Sequence, residues 1–117
     1  MKKLTLAFDL DNTLVQNGTQ ENHYLDAEPI QEMIDLVNML YDEGHVVFLF
    51  TSRSYYHGQK EQEDCLRNEI GIKFHYLVMG KPLYDIFVDD RAVDWYDGMT
   101  KINVQILLDR IRQRQEE

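Results

Sequence analysis

The sequence predicts an α/β protein, a three-layer fold in which a parallel sheet carries helices on both faces, and three observations carry that prediction. Two short apolar runs, residues 4–8 and Val46–Phe50, break abruptly into polar residues, as buried strands do where they surface at the edge of a sheet. Between them Ile30, Met33, Ile34, Val37, Leu40 and Tyr41 recur at helical spacing until Gly44 stops the run. Strands that alternate with helices through short connections imply right-handed crossovers and hence parallel pairing.

The first strand, residues 4–8, runs into Asp9-Leu10-Asp11-Asn12-Thr13. Asn17-Gly18 is a favoured tight-turn pair, and the polar stretch around it up to Tyr24 predicts a small flap or hairpin. Pro29 suits a first helical position, which starts the first helix there. The strand Val46–Phe50 ends in Thr51-Ser52-Arg53. Residues 61–70 place Cys65, Leu66 and Ile70 on one face ahead of Gly71, so a second helix leads into a third strand near residues 75–78. A fourth apolar segment, residues 84–88, breaks into Asp89-Asp90, and Val104, Leu107, Leu108 and Ile111 mark a closing helix that frays into Arg, Gln and Glu.

The chain has 117 residues and 44% hydrophobic side chains, which fits one domain, residues 1–117, around one core. Twelve basic against 21 acidic side chains leave a formal charge of −9, which disfavours nucleic acid and anionic membranes as partners. The single Cys65 has no partner for an internal disulfide, and no apolar leader or span follows Met1-Lys2-Lys3; the expectation is a cytoplasmic protein.

In parallel sheets ligands bind beyond the carboxyl ends of the strands, where Asp9, Asp11, Thr51, Lys81 and Asp89 are expected to converge. Asp9 and Asp11 stand two apart, so they start on opposite faces of a strand unless the backbone turns, and can take different roles. A carboxylate that attacks phosphorus forms an aspartyl-phosphate, while a second carboxyl protonates the departing oxygen and then activates water. Asp9 suits the first task and Asp11 the second. Such chemistry gathers anions and calls for a hard cation held by oxygens, with Mg²⁺ the ordinary solution and Asp89 and Asp90 the remaining acid. The hydroxyl of Thr51 and the ammonium of Lys81 supply donors for the phosphoryl oxygens.

These residues resemble a known family. Asp9-Leu10-Asp11-Asn12-Thr13 resembles the Asp-x-Asp-x-Thr nucleophile motif of the haloacid dehalogenase (HAD) superfamily. Phe48-Leu49-Phe50-Thr51-Ser52-Arg53 is similar to its second motif, and Lys81 and Asp89-Asp90 match the third and fourth in order. The resemblance implies a Rossmann-like HAD fold with Asp9 as nucleophile and Asp11 as general acid and base. It also implies Thr51 and the neighbouring Ser52, with Lys81, on the phosphate, and Mg²⁺ held by Asp9, the backbone carbonyl of Asp11 and Asp89, with Asp90 acting directly or through water. The segments in which such enzymes carry cap domains, residues 15–28 and 79–83, are too short here to fold as caps. An open site serves a bulky substrate or is covered by another copy of the chain. Thr51-Ser52-Arg53, Gly80-Lys81-Pro82 and Val88-Asp89-Asp90-Arg91-Ala92 look more narrowly like small phosphatases associated with capsule and surface-polysaccharide biosynthesis.

Plainer roles stand beside these. Thr51 also ends a strand, Lys81 also suits a solvated turn beside Pro82, and Asp94 suits a helix cap. Arg53 and Arg91 fit a substrate contact or a salt bridge equally well, and the Tyr55-Tyr56-His57 loop a stacking platform or simple packing. His23, His45, His57 and His75 lack ligand spacing for a transition metal. The leading expectation is a phosphomonoesterase for a small sugar phosphate or nucleotide. The competing ones are a polynucleotide 3′-phosphatase and a non-catalytic domain that binds a phosphorylated ligand or protein.

Overall fold

The computed structural model describes residues 2–53, 58–93 and 104–117; the Tyr55-Tyr56-His57 loop, Asp94 and Trp95 lie outside the described residues. Its centre is a three-stranded parallel sheet of order β1-β4-β5, where β1 is Thr5–Asp9, β4 is Val46–Phe50 and β5 is Tyr76–Val78. Asp9 pairs with Phe50 and Phe50 with Val78, so all three strands end on one level. The residues that follow, Leu10-Asp11, Thr51–Arg53 and Gly80-Lys81, therefore leave the sheet side by side.

Between β1 and β4, β2 (Val15–Gln16) pairs antiparallel with β3 (Glu28–Pro29), which closes the expected small hairpin around Asn17-Gly18. Asp26 holds the loop by accepting from the Thr19 N–H (2.9 Å), the Thr19 hydroxyl (2.7 Å) and the Asn22 amide (3.1 Å). Those donors, the Thr19 backbone foremost, hold the Asp26 carboxyl down at about 2. Pro29 belongs to β3 rather than to the helix. The Ile30 N–H is bonded to the Leu14 carbonyl, so the chain is still tied to the hairpin and α1 starts at Gln31. Helix α1 (Gln31–Asp42) buries Met33, Ile34, Leu36, Val37 and Leu40, and Gly44 leaves it at φ 97°, a conformation that suits glycine.

Helix α2 (Gln59–Asp64) begins earlier than the periodicity predicts and widens into a π-type turn, Cys65–Ile70, ended by Gly71 at φ 89°. The closing helix α3 (Val104–Glu116) buries Leu107, Ile111 and Gln115. Its end does not fray: Arg112 Nη2 donates to both carboxylate oxygens of Glu43 at the end of α1 (2.6 and 2.8 Å), and the Gln115 amide donates to the Lys2 carbonyl (3.0 Å).

Residues 84–88 form no strand. Leu83 and Val88 are each 90% exposed and Ile86 is 81% exposed, while Tyr84 stacks on Phe87 at 5.2 Å. An apolar run becomes a strand only where a neighbour supplies the ladder. Here local contacts take that place, and β1 remains an edge of the sheet among the described residues.

His45 is fully buried where α1 gives way to β4. Its Nδ1 accepts the Leu4 N–H (3.0 Å) and its Nε2 lies 3.4 Å from the Gln115 amide. Burial lowers its pKa below 6.5; nearby Glu43 opposes the shift, and Lys3 and Arg112 add to it. A depressed histidine stabilises the fold in its neutral form. That contribution is whole above the unfolded value near 6.5 and is lost as pH falls through the folded value. Urea unfolding at a series of pH values between 7.5 and 5 is expected to show a steeper loss of stability for wild type than for His45→Gln.

Candidate functional site

The chain turns as soon as β1 ends. The Leu10 carbonyl accepts the N–H groups of Thr13 (3.2 Å), Leu14 (2.8 Å) and Val15 (3.1 Å), and Asn12 sits at φ 64° in the left-handed region that asparagine tolerates. Leu10 and Leu14 are wholly buried under this coil, which anchors it, and Asp9 and Asp11 remain at its partly exposed rim.

Asp9 is held at both oxygens. The Thr13 hydroxyl donates to Oδ2 (3.1 Å) and the Lys81 ammonium donates to Oδ1 (3.2 Å). Lys81 reaches it because its own N–H donates to the Thr51 carbonyl (2.9 Å), which fixes the chain beyond β5 against the chain beyond β4. Its ammonium also lies 5.0 Å from the centre of the Tyr84 ring and 5.4 Å from that of Phe50. Burial alone would lower the Lys81 pKa, but the Tyr84 hydroxyl and the Asp9 carboxylate outweigh it, so the net shift is upward and the amine stays charged.

Asp11 meets Arg53. Arg53 Nε and Nη2 donate to the two Asp11 oxygens (2.9 and 2.8 Å), a fork on a carboxylate. The remaining edge of the guanidinium donates to Gln62 Oε1 (2.6 Å), and the Gln62 amide donates to the His23 carbonyl (2.8 Å). The guanidinium also lies 5.3 Å from the Tyr24 ring centre. Arg53 thus forms a salt bridge, and it joins the strand ends to α2 and to the hairpin loop.

Thr51 is 1% exposed, and its hydroxyl accepts the Arg53 N–H (3.1 Å), so it shapes the turn beyond β4. Ser52 beside it is exposed. Asp89 and Asp90 are both exposed: Asp89 closes a turn on the Arg91 N–H (2.6 Å), and the Asp90 carbonyl accepts from Arg114 (3.1 Å). The structure therefore brings together Asp9, Asp11, Thr51 and Lys81 with Ser52 alongside. It does not bring Asp89 and Asp90 to them. Among the described residues no group of three or more His, Cys, Asp or Glu side chains converges to hold a metal ion.

Sequence reasoning gave no role to Thr13, Gln62 or Tyr24. Gln62 did leave a signal: it is a polar residue three and four positions before Cys65 and Leu66, on the face that enters the core, and it is 1% exposed.

The Asp11–Arg53 pair yields a stability prediction. Arg53 is 3% and Asp11 30% exposed at the side chain, so Asp11→Asn leaves a buried cation without its counter-charge. The loss is expected to be about 2 kcal/mol in urea unfolding, below the ~3–5 of a fully buried pair because Asp11 is partly solvated.

A crystal structure of a structural-genomics target from Vibrio cholerae is similar to this chain in fold, with a TM-score of 0.68 and 23% identity over 97% of this chain and 99% of that one. No protein-family model and no curated protein matches the chain. Among the described residues no helix is long and apolar enough to cross a membrane.

Proposed function

We propose that this chain is a phosphomonoester hydrolase of the HAD type, with a three-layer Rossmann-like fold, that acts on a small sugar phosphate or nucleotide through an aspartyl-phosphate at Asp9. The observation that carries the reading is the Asp9–Lys81 pair at the common strand edge. It combines a partly exposed carboxylate with a charged amine 3.2 Å away, and Asp11 stands two residues on. A lone carboxylate repels a phosphate dianion; an adjacent ammonium offsets that repulsion and gives the phosphoryl oxygens a donor.

In the first half-reaction an Asp9 oxygen attacks phosphorus and the bond to the ester oxygen breaks. The electron pair stays on that oxygen, which takes from Asp11 the proton that the water-activating step of the preceding turnover left there. In the second half a water gives its proton to Asp11 and attacks phosphorus. The bond to Asp9 breaks and the carboxylate is restored. Lys81 contacts the phosphoryl oxygens in both halves, and Thr51 and Ser52 lie on the loop that faces them. Thr13 keeps Asp9 oriented through Oδ2.

Mg²⁺ is the cation that this chemistry and the resemblance call for. The residues as arranged do not fit it: Asp89 and Asp90 face solvent and do not converge with Asp9 and Asp11. No step above runs through a metal, and the assay decides its place.

The test is release of inorganic phosphate from sugar phosphates, nucleotides and 3′-phosphorylated oligonucleotides, with Mg²⁺ or with EDTA. Turnover of small esters by wild type and background release by Asp9→Asn are expected; equal release by both proteins would overturn the mechanism. Turnover confined to the oligonucleotides would transfer the activity to nucleic acid ends. Loss of activity in EDTA would require residues 84–90 to carry Asp89 to the site in the working state, whereas activity in EDTA would leave Lys81 as the neutralising charge.

A further inference from the structure

We infer that Arg53 is the positioning residue for Asp11 in the hydrolytic half of the reaction, and that Gln62 and Tyr24 hold it in place for that task. The inference rests on the phosphatase reading and goes beyond it, since it assigns work to a cation paired with neither the nucleophile nor the phosphoryl oxygens that Lys81 contacts.

The geometry is specific. Both Asp11 oxygens accept from one guanidinium, at 2.8 and 2.9 Å, which fixes the plane of the carboxylate as well as its place. A lysine offers a single point of attachment and leaves that plane free to rotate. The guanidinium is itself fixed from the far side by Gln62 Oε1 at 2.6 Å, and Gln62 is fixed by the His23 carbonyl at 2.8 Å. Tyr24 lies against it at 5.3 Å. Each link is buried or partly buried, so its directionality is not averaged out by water.

A carboxylate with both oxygens accepting is in the form that takes a proton. That is the form the second half-reaction needs, when Asp11 draws a proton from the water that attacks the aspartyl-phosphate. With its plane fixed, one oxygen can accept from that water through its second lone pair while Arg53 keeps its bond to the first. Removing Arg53 frees the carboxylate to rotate, so dephosphorylation slows more than phosphorylation. The effect is sharpest for p-nitrophenyl phosphate, whose leaving group departs without help from an acid.

The experiment is rapid-quench turnover of p-nitrophenyl phosphate by wild type, Arg53→Ala, Arg53→Lys and Gln62→Leu, with circular dichroism on each to confirm folding. Arg53→Ala is expected to show a burst of about one equivalent of p-nitrophenolate, a phosphorylated enzyme in the quench, and kcat lowered by roughly 10²-fold with KM lowered in step, so that kcat/KM is little changed. Added guanidinium should raise the slow phase, and Arg53→Lys should recover only part of it. Gln62→Leu, which keeps the Asp11 pair but loosens its support, should show a smaller loss with the same burst, and it decides the matter if Arg53→Ala does not fold. A first turnover slowed as much as the later ones with no phosphorylated enzyme would overturn the inference, as would raised KM at unchanged kcat, which would make Arg53 a substrate contact. Absence of turnover by wild type itself would instead sink the phosphatase reading.

Discussion

Everything proposed for this molecule depends on the register of its parallel sheet. Asp9, Phe50 and Val78 pair across β1, β4 and β5, so three loops leave the sheet at one height. A slip by one residue would turn every side chain to the other face. The register is locked from the core: Val47 and Leu49 of β4 are fully buried, and their neighbours Val46, Phe48 and Phe50 are only partly so. It is locked a second time at the opposite end of the sheet, where His45 and His75 use ring nitrogens to accept the N–H groups of Leu4 and Val47. Hydrogen bonds between the loops complete the edge, with Thr51 receiving Lys81 and Arg53 receiving Gly80 through their backbone carbonyls.

Charge is organised by the same edge. The chain carries nine more acidic than basic side chains, yet the two carboxylates at the end of β1 and just past it are each matched with a cation from a different loop. The two pairs differ in kind. Lys81 meets Asp9 as a single ammonium against a half-open carboxylate, an arrangement that an incoming anion can share. Arg53 meets Asp11 as a buried fork tied to a helix and a hairpin, an arrangement that resists displacement. That contrast makes chemical sense if Asp9 exchanges partners in each turnover while Asp11 keeps one orientation throughout.

Much of this was legible in the sequence because burial writes a strong pattern. The helix through Met33, Val37 and Leu40 and the strand Val46–Phe50 follow from periodicity, and the polar break after each apolar run located the edge where Asp9, Asp11, Thr51 and Lys81 meet. Two boundaries shifted for reasons that only pairing reveals: Pro29 was claimed by the hairpin through β2, and α3 continued to Glu116 because Arg112 and Gln115 found partners on other elements. Residues 84–88 have the composition of a strand but no ladder, since composition states what a segment tolerates and not what neighbours it. The Arg53 network was illegible because its members, Asp11, Arg53, Gln62 and Tyr24, lie far apart in the chain and converge only through the fold.

The central claim is that Asp9 takes the phosphoryl group. Acid-quenched wild-type protein, taken during turnover of a substrate that it hydrolyses and mapped peptide by peptide for phosphorylation, tests it directly. The account predicts an acid-stable, alkali-labile phosphoryl group on Asp9 and on no other residue. A phosphoryl group on a different side chain, or a direct attack by water shown by single-turnover inversion at a chiral phosphorus, would contradict it.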